Sequence, residues 1–219
     1  MGFLADANWQ LDPHAEGITQ AKEALAIYQR NNAVPGQVDC WKDLARLLYE
    51  DGRPESAEES VSQAINLSDR RDPVTNCQCH RVLGDICHSR GDTEKAIDHF
   101  EKAFEIASSL AWPNQQFFIL CSLAQLFFIG DRPDDAHAHV ERAKSHTGNS
   151  PYLLGRAVLL QARFWYKQRR FEEVKSGALS ATEVFEKFKA AKEGEECAGL
   201  LRDTEEMKLD TSGEREPGW

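Results

Sequence analysis

The stretch GDTEKAIDHFEKAFEIA, residues 91–107, decides the fold, because it joins a glycine turn to one amphipathic helix. After Ala96, apolar residues follow at +4, +7 and +10, as Phe100, Ala103 and Ile106. This spacing places all four on one face of a helix with 3.6 residues per turn. The charged residues between them fall on the opposite face, so the stretch predicts a helix that packs on one side only.

The same face recurs four more times along the chain at a nearly constant step. With Ala96 as a marker, the equivalent positions are 17, 57, 96, 136 and 174, which are steps of 40, 39, 40 and 38 residues. The other four faces are Gly17, Ala21, Ala24 and Ile27; Ala57, Val61, Ala64 and Leu67; Ala136, Val140, Ala143 and His146; and Val174, Ala178, Ala181 and Val184. A fixed step of this length indicates a repeat architecture in which each unit packs on its neighbours.

A further helix is predicted before each marker from the second unit to the fifth. Its rows are Leu44, Leu83, Leu123 and Gln161 at −13, the small residues Ala45, Gly84, Ala124 and Ala162 at −12, and Leu48, Cys87, Phe127 and Trp165 at −9. The small row would let two helices approach closely. At −5 stand Gly52, Gly91, Asp131 and Arg169, where a glycine would end the first helix and turn the chain.

Together these rows resemble the tetratricopeptide repeat (TPR), and LGDICHSRGDTEKAIDHFEKA, residues 83–103, is the best single match. The step of about 39 residues exceeds the usual 34 of the family, which predicts a long-step variant. The resemblance implies an all-α, right-handed α-solenoid of antiparallel helix pairs, with about five repeats over residues 1–190. Leu4 and Ala5 would belong to the first helix of the first repeat. Residues 191–209 are expected to form a C-terminal capping helix and residues 210–219 a flexible tail.

Composition and charge exclude several classes of function. The 219 residues carry a formal net charge of −10, which disfavours a nucleic-acid partner. Half of that charge lies in residues 191–219, where nine acidic and four basic residues leave −5. The most apolar run, residues 117–130, is too short to span a membrane, and the N-terminus shows no secretory leader. With six cysteines in no disulfide pattern, a cytoplasmic protein with reduced thiols is expected.

No catalytic or cofactor motif is present in the sequence. The cluster CQCH, residues 77–80, with Cys87 and His88 further along, suggests zinc at first sight. On one helix these side chains span three turns and cannot reach a single ion, and His80 and Cys87 fall where the repeat needs core residues. We therefore predict neither metal nor cofactor, and no enzymatic activity.

The first helices of stacked repeats are expected to line a concave groove, where such proteins bind their partners. The candidate partner-binding residues are Lys42, Arg46, Tyr49, Arg81, Asp85, His88, Gln125, Phe128, Arg163 and Tyr166. Four of them form a row of rings at −8, and this row either faces the groove or packs between neighbouring helices. The groove interpretation predicts a protein or peptide partner with acidic and apolar side chains. The residues that clamp a chaperone C-terminus in some TPR domains are absent, so chaperone binding is not predicted.

The sequence therefore predicts a non-catalytic scaffold for protein–protein interaction. An alternative is a sensor or oligomerisation array, since the long-step repeats and residues 184–207 resemble the arrays that follow NTPase modules in fungal STAND-type proteins. Self-association, with the acidic C-terminal end of one copy in the basic groove of another, also remains open.

Overall fold

The computed structural model describes residues 13–68 and 72–212, and within these ranges the protein is entirely helical. The ten helices described are α1 (Pro13–Arg30), α2 (Val34–Glu50), α3 (Pro54–Leu67), α4 (Pro73–Ser89), α5 (Thr93–Ser109), α6 (Pro113–Ile129), α7 (Pro133–Ser145), α8 (Pro151–Lys167), α9 (Phe171–Lys187) and α10 (Ala191–Ser212). Leu4, Ala5 and the last seven residues of the expected tail lie outside the described residues.

First and second helices of the repeat alternate along the chain. The first helices α2, α4, α6, α8 and α10 begin at residues 34, 73, 113, 151 and 191, and α1, α3, α5, α7 and α9 are second helices. Helix α2 packs on α3, α6 on α7 and α8 on α9. The described residues divide into two compact units, one within residues 1–106 and one within residues 107–219, with the boundary inside α5. Helix pairs of this kind confirm the all-α, TPR-like solenoid fold class.

The marker faces form the core of the first unit. Ala57, Val61 and Ala64 are buried on α3, and Ala96 and Phe100 are buried on α5. Asp72 caps the start of α4, because its carboxylate accepts the backbone N–H groups of residues 74 and 75. Helix α4 places Gly84, its member of the small row, against Phe100 of α5.

Gly84 shows why the −12 row is small. A Cβ atom added at this position would lie 2.9 Å from the Phe100 ring. The ring therefore occupies the space that a side chain at position 84 would need. Close packing of this kind leaves little room for an added methyl group.

In the second unit, the repeat that departs most from the pattern keeps the same core. Val174 is fully buried on α9 although the marker is normally alanine. Gln161 stands where the other repeats have leucine, and both its amide nitrogen and its amide oxygen are hydrogen-bonded. It donates to Glu141 at 2.9 Å and accepts from the Lys144 ammonium at 2.5 Å. A buried polar side chain is tolerated when it is paired in this way.

Of the four residues predicted on the packing face of α1, Ala21 and Ala24 pack against the core, but the prediction for Ile27 is wrong. Ile27, expected on the packing face of α1, is 55% exposed, whereas Ile18 and Leu25 are buried. These two residues lie seven positions apart, so they share the side of the helix that packs on α2. The regular step of the later repeats concealed this shift.

The residues of the −5 row form the turn between the two helices in all four repeats. Gly52 and Gly91 have φ values of 73° and 81°, and Asp131 and Arg169 adopt the same left-handed conformation at 57° and 59°. Only glycine enters this region without steric cost.

Replacing Arg169 with glycine is therefore expected to stabilise the protein by about 0.5–1 kcal/mol, because the turn loses its strain. The matched change Gly91→Ala should act in the opposite direction. Urea denaturation followed by circular dichroism measures both, and a lower midpoint for Arg169→Gly would contradict the interpretation.

Helix α10 continues the spacing of the first helices, since it begins 40 residues after α8. It runs to Ser212, three residues beyond the expected end of the capping helix. Cys197 and Thr204 are buried on its inner side, while Glu195, Arg202 and Glu205 are exposed. A polar outer side is what a terminal cap requires, and the capping role remains a prediction.

Candidate partner-binding surface

In the first unit, three predicted residues line one small cleft between α2 and α4. Lys42 and Arg46 come from α2 and Arg81 from α4, around a volume of about 120 Å³. Each cation already faces a carboxylate on its own helix, and the Lys42–Asp39 distance of 2.7 Å is the shortest of the three. The cleft is therefore close to electrically neutral.

Asp85 and Tyr49 lie next to each other on the same pair of helices. Burial raises the pKa of Asp85 to about 6, with Arg81 opposing the shift and Glu50 adding to it. Burial and the nearby Asp85 carboxylate raise the pKa of Tyr49. Tyr49 also packs against the core of the unit, and His88 is half-buried near the end of α4. All three residues are thus half-buried in the structure.

In the second unit, the four predicted residues meet in one place. Gln125 and Phe128 on α6, with Arg163 and Tyr166 on α8, line a depression of about 360 Å³. Its remaining lining residues are Ile129, Leu160, Phe164, Lys167 and Leu200. We call this the apolar depression, since most of its wall is aliphatic or aromatic.

Phe128 shows whether the −8 row of rings faces the groove or packs between helices in this unit. It stacks on Phe164, with ring centroids 4.3 Å apart, and so packs between α6 and α8. The same ring lines the apolar depression. Next to it, Ile129 is 66% exposed. The two interpretations of the row are therefore compatible at this position.

A second cleft of about 270 Å³ adjoins the apolar depression, and the two share Gln125, Leu160 and Arg163. We call it the charged cleft. Its cations are Arg156, Arg163 and Lys192, and its carboxylates are Glu193 and Glu196 of α10.

The carboxylates of α10 contact α8 directly in the charged cleft. Glu196 forms an ion pair with Arg163. The Tyr152 hydroxyl donates to Glu193 at 2.6 Å, which lowers the pKa of that carboxyl. Arg156 lies over the Phe118 ring, 5.4 Å from its centroid. The surface thus combines an apolar part with a charged part.

Sequence reasoning missed the contribution of α10 to this surface. The sequence interpretation places Lys192, Glu193, Glu196 and Leu200 in the capping helix and does not include them among the groove residues. The signal that could have found them is the start of α10, which continues the spacing of the first helices. Because α10 follows α8 at the repeat step, it lies beside α8 as the next first helix and contributes to the same surface.

The histidine and cysteine cluster around residues 77–88 is used for packing. The Cys77 thiol is buried and donates to the Ala103 carbonyl at 3.4 Å. His80 faces His99 of α5, with the two Nδ1 atoms 3.0 Å apart. Within residues 13–68 and 72–212, no group of three histidine, cysteine, aspartate or glutamate side chains is arranged to hold a metal ion.

The His80–His99 contact predicts a pH-dependent stability. Burial lowers the pKa of both rings. At His80, the nearby His99 and Lys102 lower the pKa further. At His99, Lys102 also lowers the pKa, while Asp98 and Glu58 oppose this shift. Both folded-state pKa values lie below the unfolded value of about 6.5. The two neutral rings therefore contribute their full stabilisation to the fold above about pH 6.5. It is lost as the pH falls from there through the folded-state values.

Stability of the wild type should therefore fall between pH 7.5 and pH 5 more steeply than that of His99→Gln, which keeps a neutral hydrogen-bonding side chain. Urea denaturation at a series of pH values measures the difference. Equal slopes for the two proteins would contradict this prediction.

None of the helices in the described ranges is both long enough and apolar enough to cross a membrane.

Comparisons with known proteins give a consistent fold. BtubC from P. vanneervenii superposes with a TM-score of 0.67 at 14% identity, covering 94% of this chain and 95% of that chain. A STAND protein with a tetratricopeptide repeat sensor from Pyrococcus horikoshii gives 0.68 at 11% identity, over 87% of this chain and 33% of that one. A Rap protein complexed with Competence and Sporulation Factor gives 0.64 at 14% identity, over 90% and 60%. A comparison with curated proteins finds no match.

The sequence itself matches the tetratricopeptide repeat family over residues 80–146, which run from within α4 to the end of α7 and include the stretch of residues 91–107. At these identities the structural likeness concerns the fold alone. The family match is limited to residues 80–146, less than a third of the chain, and the alternating helix pairs share the TPR-like fold of these solved structures.

Proposed function

We propose that the chain is a non-catalytic scaffold that binds a segment of another protein on the first-helix face of the second unit. The observation that carries this proposal is the apolar depression, in which four residues predicted from the sequence lie side by side. Repeat proteins of this type commonly use such surfaces for binding. A cytoplasmic location is part of the proposal, because six cysteines outside any disulfide fit a reducing compartment.

The chemistry of the depression favours an apolar anchor from the partner. Phe128, Phe164 and Leu200 provide apolar contact, and Ile129 is 66% exposed. A few aromatic and arginine side chains in well-packed pockets typically carry most of the binding energy of a protein interface. Arg163 and Lys167 at its edge would favour an acidic residue beside the anchor.

Crosslinking and affinity capture from an extract of the source organism test the proposal. The wild type is compared with the triple variant Phe128→Ala, Ile129→Ala and Tyr166→Ala. The control is Leu179→Ala, an exposed aliphatic residue on the second helix α9. Partners captured by the wild type and the control, but lost from the triple variant at unchanged helicity, support the proposal. Equal capture by all three proteins would refute it.

A second candidate function is a sensor array within a larger STAND-type protein. The observation that favours it is the likeness in fold to a STAND protein with a tetratricopeptide repeat sensor, over 87% of this chain. Sequencing the transcript tests this candidate. An NTPase module encoded in the same reading frame supports it, and a transcript that encodes only these repeats refutes it.

A further inference from the structure

We propose that Glu196 of α10 is an internal competitor of the partner, because its carboxylate occupies Arg163 where a carboxylate of the bound segment would bind. This inference rests on the proposed function and adds the chemical class of the partner. The partner is a peptide segment with an apolar side chain and, close to it, an aspartate or glutamate.

The position of Arg163 is the first reason. This residue lines both the apolar depression and the charged cleft. A segment that places an apolar side chain beside Phe128 therefore brings its neighbouring residues to the Arg163 guanidinium. At present that guanidinium forms an ion pair with Glu196, which comes from a different helix. Partner and α10 would thus compete for the same group.

The charge balance of the cleft is the second reason. Three cationic and two anionic side chains line it, which leaves one positive charge in a protein whose net charge is −10. Arg156 and Arg163 lie seven residues apart on α8 and so share one side of the helix. Burial and the nearby Arg156 lower the pKa of Arg163. An additional carboxylate would relieve this repulsion, which favours an acidic ligand.

The exposure of the ion pair is the third reason. The side chains of Arg163 and Glu196 are 45% and 36% exposed. Exposed pairs are weak, so a partner carboxylate can replace Glu196 at a small cost in affinity. Cys197 and Thr204 anchor α10 in the core. The exchange therefore needs only a rotation of the Glu196 side chain, and the helix stays in place.

Fluorescence anisotropy with defined peptides tests the inference. The probes are labelled eight-residue peptides with one leucine and one glutamate separated by one to four residues, and matched peptides with glutamine in place of the glutamate. The proteins are the wild type, Glu196→Gln, Arg163→Gln and the control Glu195→Gln, an exposed residue next to Glu196. Circular dichroism verifies that all four are equally helical.

The expected result is that Glu196→Gln tightens binding of the glutamate peptides by about two- to five-fold and leaves the glutamine peptides unchanged. Arg163→Gln should remove the preference for glutamate, and Glu195→Gln should behave as the wild type. If Glu196→Gln changes both peptide sets equally, changes neither, or weakens the glutamate set, the inference is overturned while the proposed function stands. If no peptide binds any variant, the inference is overturned, and the capture experiment decides the proposed function separately.

A measurement without ligand gives an independent reading. The Nε–Hε NMR signal of Arg163 should shift on the change Glu196→Gln and stay in place on Glu195→Gln. If neither change shifts the signal, the ion pair does not persist in solution and the inference is overturned.

Discussion

Replacing Phe100 with alanine is expected to lower the free energy of unfolding of the first unit by about 3–5 kcal/mol. The ring is 1% exposed and fills the space opposite Gly84, where an added Cβ would lie 2.9 Å from its edge. Truncation would remove this contact and leave a cavity between α4 and α5. Because Gly84 has no side chain, its helix cannot fill the cavity without moving.

Urea denaturation combined with hydrogen exchange measures this effect and assigns it to the first unit. Two related variants grade the response. Phe100→Leu keeps part of the volume and should cost less than Phe100→Ala, whereas Gly84→Ala should be destabilising by about 1–3 kcal/mol through overpacking. A loss below about 1 kcal/mol for Phe100→Ala would show that the ring is not a core element.

Replacing Phe185 with alanine is expected to have a similar effect on the second unit, again about 3–5 kcal/mol. Phe185 is buried together with Leu159, Ala181 and Cys197, which come from α8, α9 and α10. Tyr152 packs edge-on against it, with ring centroids 5.9 Å apart. One side chain thus holds three helices together, including the helix that carries Glu193 and Glu196.

Phe188 provides the matched control, because it is the same residue type one turn away and is 51% exposed. Phe188→Ala should change the free energy of unfolding by less than about 0.5 kcal/mol, as is typical of surface positions. Limited proteolysis adds a local reading, since Phe185→Ala should make α10 the first segment to be cleaved. Equal stability losses for the two variants would contradict the assignment of the core.

The fold could be predicted because its signal is repeated. A small or apolar residue at the same helical spacing in five places is far more informative than any single helix, and the TPR-like fold class is confirmed. The failure at Ile27 has a physical cause. Helix α1 buries Ile18 and Leu25 on its α2 side, and a count carried back from later repeats cannot detect a rotation of one residue. The pattern also could not predict how Gln161 is accommodated at a leucine position, because its partners Glu141 and Lys144 belong to the preceding helix.

The candidate site could be predicted only in part. The sequence placed Gln125, Phe128, Arg163 and Tyr166 on one face, and the structure brings these four together in the second unit. It gave no indication that Glu196 contacts Arg163, because a contact between α8 and α10 depends on how two helices cross. Acidic residues in a terminal helix are usually solvated, so their number alone does not predict a partner.

The hydrogen bonds of Gln161 have a consequence for how this array can change in evolution. At the equivalent junction in the first unit, Leu83 and Ile65 stand in the places of Gln161 and Lys144, and both pack against an apolar core. A recombination event that deleted the intervening copies would set the Gln161 amide against Ile65. An amide buried without a partner costs about 1–3 kcal/mol. Copy number in this gene is therefore constrained by the chemistry of each junction, and only deletions that keep both members of a pair should yield a stable product.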